Sequence, residues 1–164
     1  MNTGQMLLTI GAMILLSMVI LNTNKNYLNT TVFLQETKYG VLATSLATSI
    51  IEKAKSLSFD EETDGAAVAN TSDLTRANDL GPESGETYYT FNDFDDFNGY
   101  TTVDTTEMSA VYNISCSVAY VNENQLNNTT NSRTWHKKIL VAVSSDFMTD
   151  TVRMSSVFSY WFFR

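Results

Sequence analysis

Residues 1–24 read MNTGQMLLTIGAMILLSMVILNTN, and no charged side chain occurs among them. The apolar run 6–21 lies inside this stretch. As a helix it is roughly 24 Å long, slightly short of the about 20 residues that span a bilayer core. The uncharged flanks 1–5 and 22–24 bring it to spanning length. A cleaved secretory signal carries Lys or Arg before its apolar core and a small-residue site after it. Here no Lys or Arg precedes the run, and Asn22-Thr23-Asn24-Lys25 follows it. Thr9, Gly11 and Ser17 interrupt the apolar surface with side chains small enough for close helix packing. The reading that fits best is a helix that sits first in lipid and later packs against copies of itself.

The helical pattern continues past Lys25. Leu28, Val32, Gln35, Tyr39, Leu42, Leu46, Ile50 and Leu57 recur mostly at three- and four-residue steps, flanked by Leu34, Val41, Ile51 and Ala54. Charged residues fall mostly on other faces. One helix is therefore predicted from near Met1 to about Ser58, on the order of 85 Å long. The acidic turn Asp60-Glu61-Glu62-Thr63-Asp64-Gly65 ends it. Gly11 and the cluster of poor helix formers around Asn22-Thr23-Asn24 are its weak points.

Residues 63–90 read as a long polar loop. Beyond it the period becomes two. Met108, Ala110, Tyr112, Ile114, Cys116, Val118 and Tyr120 alternate on one strand. Residues 121–132 read as a polar hairpin connection. A second strand over 137–144 places Ile139, Val141 and Val143 on one face. A third over 151–163 does so with Val152, Met154, Phe158, Tyr160 and Phe162. The expected architecture is α+β: a long N-terminal helix packed on an antiparallel sheet, with the stripe 28–57 as its cover. The organisation is a hydrophobic helix (1–24), an amphipathic helix half (25–62) and a β-sheet head (63–164). The terminal Ser159-Tyr160-Trp161-Phe162-Phe163-Arg164 should be buried on the head or at a subunit contact.

The chain has 164 residues, a net charge of −8 and only ten scattered Lys and Arg, which argues against nucleic acid as a partner. Membrane contact should be confined to the uncharged N-terminus, because an acidic surface is repelled by anionic lipid. Cys116 is the only cysteine, so no intrachain disulfide forms. Sequons at Asn29, Asn70, Asn113, Asn127 and Asn128 are candidate glycosylation sites. Asp93, Asp95, Asp96 and Asn98 form the densest carboxylate cluster and a weak Ca²⁺ candidate; their spacing misses the EF-hand loop, and a solvated structural turn is the expected reading. Phe91, Phe94, Phe97 and Tyr100 should pin that turn to the head. His136 is the only histidine, so no nucleophile–base–orienter set can be assembled, and no P-loop, dinucleotide-binding glycine motif or zinc spacing occurs. Neither an enzyme nor a cofactor is expected. Tyr27, Phe33 and Tyr39 read as packing residues rather than as a path for electrons.

A helix apolar in its first half and amphipathic in its second, followed by an antiparallel sheet, resembles the type IV pilin and pseudopilin family. The resemblance implies a helix held in the inner membrane before assembly and then extracted into the core of an extracellular helical filament. The partners implied are copies of the chain, the inner membrane and the pilus or secretion assembly machinery. The filament core would be built from Met1, Gln5, Met6, Leu7, Leu8, Ile10, Met13, Ile14, Leu15, Leu16, Met18, Val19, Ile20 and Leu21. Gln5 stands where the family carries a Glu that is thought to pair with a neighbour's N-terminal amine. Gln accepts a hydrogen bond there but neutralises nothing. The family's basic, Gly-ended leader is not part of these residues, nor are its paired C-terminal cysteines. Two other functions suit the same pattern: a minor pseudopilin of a type II secretion or type IV pilus machine, and a single-pass membrane-anchored binding protein.

Overall fold

In the computed structural model, residues 2–105 and 110–161 are described. Met1, Met108 and 162–164, to which the sequence assigned roles, lie outside them. One helix, α1 (Thr3–Lys55), is followed by strands β1 (Thr101–Asp104), β2 (Tyr112–Asn122), β3 (Gln125–Thr130), β4 (His136–Ser144) and β5 (Val152–Ser159). All strand pairings are antiparallel, in the order β1-β2-β4-β5, with β3 also on β2. The α+β class expected from the sequence is the one observed. The chain separates into two compact units, 1–38 and 39–164.

The helix runs unbroken through Gly11 and Asn22-Thr23-Asn24. Its hydroxyl side chains help to explain why polar residues are tolerated there. Ser17 donates to Met13 O, Thr23 to Val19 O, Thr30 to Asn26 O and Thr31 to Tyr27 O, at 2.9–3.0 Å. Each hydroxyl folds back on the helix's own backbone and removes a polar group from the outer surface.

In the head unit, the helix face turned to the core is Ala43, Ala47, Ile50, Ile51 and Ala54. These residues share one core with Tyr112, Ile114, Cys116 and Val118 of β2 and Ile139, Val141 and Val143 of β4. This corrects the expected cover in two ways. Its centre is a line of alanines, while Tyr39, Leu42, Leu46 and Leu57 flank it half-buried. Its first residue packed on the core is Tyr39, whereas Leu28, Val32 and Leu34 are exposed, as is Val41 within the head. Small side chains let the helix approach the sheet closely, and the larger ones fill the margins.

Two strands appear where none were expected. β1 pairs with the first residues of β2. β3 lies in the segment read as a loop and pairs with the far end of β2, with Asn122 opposite Gln125. β3 is exposed along nearly its whole length, so backbone pairing rather than burial makes it a strand. The segment 63–90 is likewise no bare loop. It carries the short 3-10 turn Thr71–Asp73 and inserts Leu74 and Leu80 into a second core with Phe59 and Tyr120. Tyr160 stacks on Trp135, whereas Trp161 is exposed and does not pack on the head.

Ile50→Ala should lower the unfolding free energy by about 2–5 kcal/mol, because it opens a cavity in the core. Leu28→Ala should stay within about 0.5 kcal/mol. Chemical unfolding of the detergent-solubilised chain measures both, and equal losses would contradict this division of the helix.

Candidate functional site

The sequence-predicted filament residues 6–21 form a surface without a polar side. Twelve large apolar side chains between Met6 and Leu21 are 49–77% exposed. The helix is long and apolar enough to cross a membrane: its most apolar 18-residue window has a mean hydropathy of 2.1, and none of that window is buried. Ile10, Met13, Ile14, Ser17, Met18 and Leu21 bound a shallow groove along one face. Ser17, whose hydroxyl is turned onto Met13 O, forms part of that groove. At Gly11 an added Cβ would meet nothing within 4 Å, so no contact within the chain requires glycine there. The exposed apolar surface continues beyond the run through Tyr27, Leu28, Val32, Phe33 and Leu34. Tyr39 belongs to the head and packs on Phe147 at 5.3 Å.

In the head, the structure overturns the reading of 93–98 as a solvated turn. Asp93, Asp95, Asp96, Phe94 and Phe97 are all buried. The aromatic residues do pin the segment, with Phe91 on Phe97 at 5.2 Å and Phe94 on Phe158 at 5.2 Å. The carboxylates are buried because a cation is buried with them. Lys137 is fully buried. It is in phase with Ile139, Val141 and Val143 on the inward face of β4. Its Nζ donates to Phe59 O at 2.9 Å, to Asp60 Oδ2 at 2.7 Å and to Asp95 Oδ1. Three donors thus meet three acceptors.

Asp60 is saturated in turn. It accepts from the Thr75 amide and hydroxyl and from Glu62 N, and it caps the 3-10 turn Glu61–Thr63. The Tyr120 hydroxyl lies within donating reach of Asp60 Oδ2 at 3.2 Å and of Thr75 O at 2.7 Å. Asp93 Oδ1 accepts from the amides of Asp95 and Asp96. Asn98 joins two segments, donating to Leu80 O and accepting from Val118 N. The four members of the weak Ca²⁺ candidate therefore serve different partners. Sequence reasoning missed Lys137 and Asp60; the signal for Lys137 was its place in the two-residue period of β4.

Burial pushes the Asp93 carboxyl up to about 8, helped by the charges of Asp95 and Asp96. Burial raises Asp95 to about 6, against the pull of Lys137. Asp60 is also buried, yet the Lys137 charge and the hydrogen bonds from Lys137 and Thr75 hold it below its ordinary value. Cys116 is a buried thiol pushed up to about 12, which leaves it inert at neutral pH. His136 Nδ1 lies 2.8 Å from Ser159 Oγ and links β4 to β5. The sequon asparagines Asn29, Asn70, Asn113, Asn127 and Asn128 are all exposed.

Lys137→Met should cost about 3–5 kcal/mol, because it strands Asp60 and Asp95 without their counter-charge. The pH dependence has a definite sign. Folded Asp93 and Asp95 hold protons above the ordinary 3.8. The stability they contribute is complete below that value and is lost as pH climbs through about 6 and then about 8. Asp60 works in the opposite sense, its contribution fading as pH falls below 3.8. Denaturant unfolding should therefore show stability declining from about pH 5 to about pH 8. Asp93→Asn, which keeps the accepting Oδ1, should flatten the upper part of that decline; a rise in stability over this range would refute the assignment.

The chain matches no protein-family model, no curated protein and no solved structure. Its architecture, a long apolar N-terminal helix with an antiparallel sheet, is compatible with a pilin-like or a membrane-anchored protein.

Proposed function

We propose that this chain is the structural subunit of a pilin-like extracellular filament, held in a membrane by its N-terminal helix before assembly. The observation that carries this reading is how far the exposed apolar surface extends. A helix apolar on all sides needs an apolar environment on all sides, which either lipid or a bundle of helices supplies. Lipid alone accounts for 6–21. It leaves Tyr27, Leu28, Val32, Phe33 and Leu34 in water, beyond Lys25 and the polar residues around it. A bundle of copies covers both segments.

The energetics favour the same reading. Full burial of each large aliphatic side chain is worth roughly 1.5–3 kcal/mol relative to water, so a subunit outside the cell has no stable state with this helix uncovered. Transfer from lipid gains less and depends on close packing, to which Gly11 and Ser17 are suited. A contact that repeats head to tail without closing gives an open polymer. The head would then form the outer surface. A single-pass anchored binding protein is favoured by one observation, a window of spanning length and hydropathy. It differs in outcome: the chain would fractionate with membranes and form no polymer.

Leu15→Asp or Leu16→Asp should abolish fibres, since a carboxylate at a helix centre costs about 2.5–3.5 kcal/mol in an apolar surrounding. A head fragment beginning near residue 39 should stay folded. Electron microscopy of sheared surface material from producing cells tests this, and normal fibres from either variant would sink the proposal. Gly11→Ala gives a finer test. Within the chain it has open space and gains helix propensity of about 1 kcal/mol. Fewer or thinner fibres from it would place a neighbouring helix against Gly11.

A further inference from the structure

The turn 81–86 lies beside the segment that carries Asp96. Gly81 and Gly85 adopt φ of +139° and +99°, which L side chains rarely reach, and Glu83 and Glu86 close the turn on each other. Glu86 N donates to Glu83 O, and Glu83 N donates to Glu86 Oε2, both at 3.1 Å. Asn98 Nδ2, bonded to Leu80 O at 2.9 Å, ties the start of this turn to the Asp95–Phe97 segment. The result is a convergence of oxygens: one carboxylate oxygen each from Glu83, Glu86 and Asp96, all within 4.8 Å of one another.

One further atom marks this place. Asp96 is fully buried, and its Oδ2 accepts from the amides of Asn92 and Asp93 at 2.9 and 3.1 Å. Its Oδ1 finds no donor among the described residues, and its carboxyl meets that of Glu86. A buried oxygen without a partner is costly, and native structures tolerate few. Here it belongs to a carboxylate facing two others.

We propose that Glu83, Glu86 and Asp96 form a binding site for a hard divalent cation, best matched by Ca²⁺. The donors are all oxygen, with no nitrogen or sulfur ligand, which selects Ca²⁺ or Mg²⁺ over zinc and copper. Ca²⁺ binds oxygen at roughly 2.3–2.6 Å, so oxygens on opposite sides of one ion lie about as far apart as the outer limit seen here. Ca²⁺ also accepts the irregular geometry of two loops, whereas Mg²⁺ demands a near-ideal octahedron. Lys137, buried nearby in the fold, is already committed to Asp60 and Asp95. The crowding registers on the ligands themselves. Partial desolvation pushes Glu83 up to about 7, followed by its contact with Glu86 and the negative charge of Asp96. Glu83 is exposed and Glu86 half-buried, which leaves the ion a way in.

The cation would clamp the turn 81–86 onto the Asp96 segment. The test uses the full chain in non-ionic detergent at neutral pH, stripped of metal with a chelator and titrated calorimetrically with CaCl₂. Saturable binding of one Ca²⁺ is expected, with a Kd of roughly 10⁻⁵–10⁻³ M, together with a rise in the thermal midpoint. The Glu83→Gln/Glu86→Gln double variant should bind about tenfold more weakly or not at all. Glu83→Gln alone changes an exposed position, and gives the same reading should the double variant fail to fold. The absence of saturable binding to the full chain would overturn the site, as would unchanged affinity in the folded Gln variants. Either outcome would leave the carboxylates held together by shared protons. The measurement reads the head alone, so it stands or falls independently of filament assembly.

Discussion

A lysine ammonium enclosed by protein must be matched by negative charge and by acceptors for all its protons, and Lys137 imposes that requirement on the head. Phe59 O and Asp60 come from the segment just after the helix, Asp95 from the segment before the sheet. Asp60 in turn holds Thr75, and the Tyr120 hydroxyl lies within donating reach of both. One cation on β4 thereby fixes three stretches of irregular chain and one strand. Such a pair contributes little net stability relative to a well-packed apolar substitute. Its effect is selective: any arrangement that displaces one member leaves a buried charge unmatched. The long segment between helix and sheet thus has a defined path although it contains no strand and only short 3-10 turns.

The two parts of α1 answer to different surroundings through different residues. In the head, alanines at 43, 47 and 54 bring the helix close to the sheet, and Ile50 and Ile51 supply the bulk. Between 6 and 21 the large side chains point outward in every direction, and the small ones are scattered among them. The first pattern fits a helix with one covered face, the second a helix with none exposed to water in its working state. Both are compatible with one continuous helix because helix formation depends on the backbone. Hydroxyls turned onto carbonyls help the chain cross the Asn- and Thr-rich stretch between the two regimes.

Much of this was legible beforehand because it depends on period and hydropathy. The helix, the inward alternation of β2 and the faces of β4 and β5 follow from spacing alone. The failures share a cause. Spacing marks Lys137 only as the first residue of a strand, because a charge belongs at the surface unless its partners are known. Those partners, Asp60 and Asp95, lie 77 and 42 residues away. The aspartates of 93–98 look solvated in the sequence for the same reason. The alanine line was passed over because hydropathy favours large residues, whereas close helix–sheet packing favours small ones. β3 escaped because its strand character rests on pairing with β2 rather than on its own burial.

By itself, then, the sequence determined that a long uncharged helix precedes an antiparallel sheet and that this helix needs an apolar environment. Those conclusions follow from local spacing and from the cost of exposing apolar surface to water, which each segment carries wherever it lies. Only the tertiary structure decided which helix face meets the sheet, which aspartates are buried and which carboxylates converge. Charge pairing and close packing join residues remote in sequence, and their sign changes with the neighbour: an aspartate beside Lys137 helps to hold the head together, whereas one beside Glu83 and Glu86 calls for a proton or a cation.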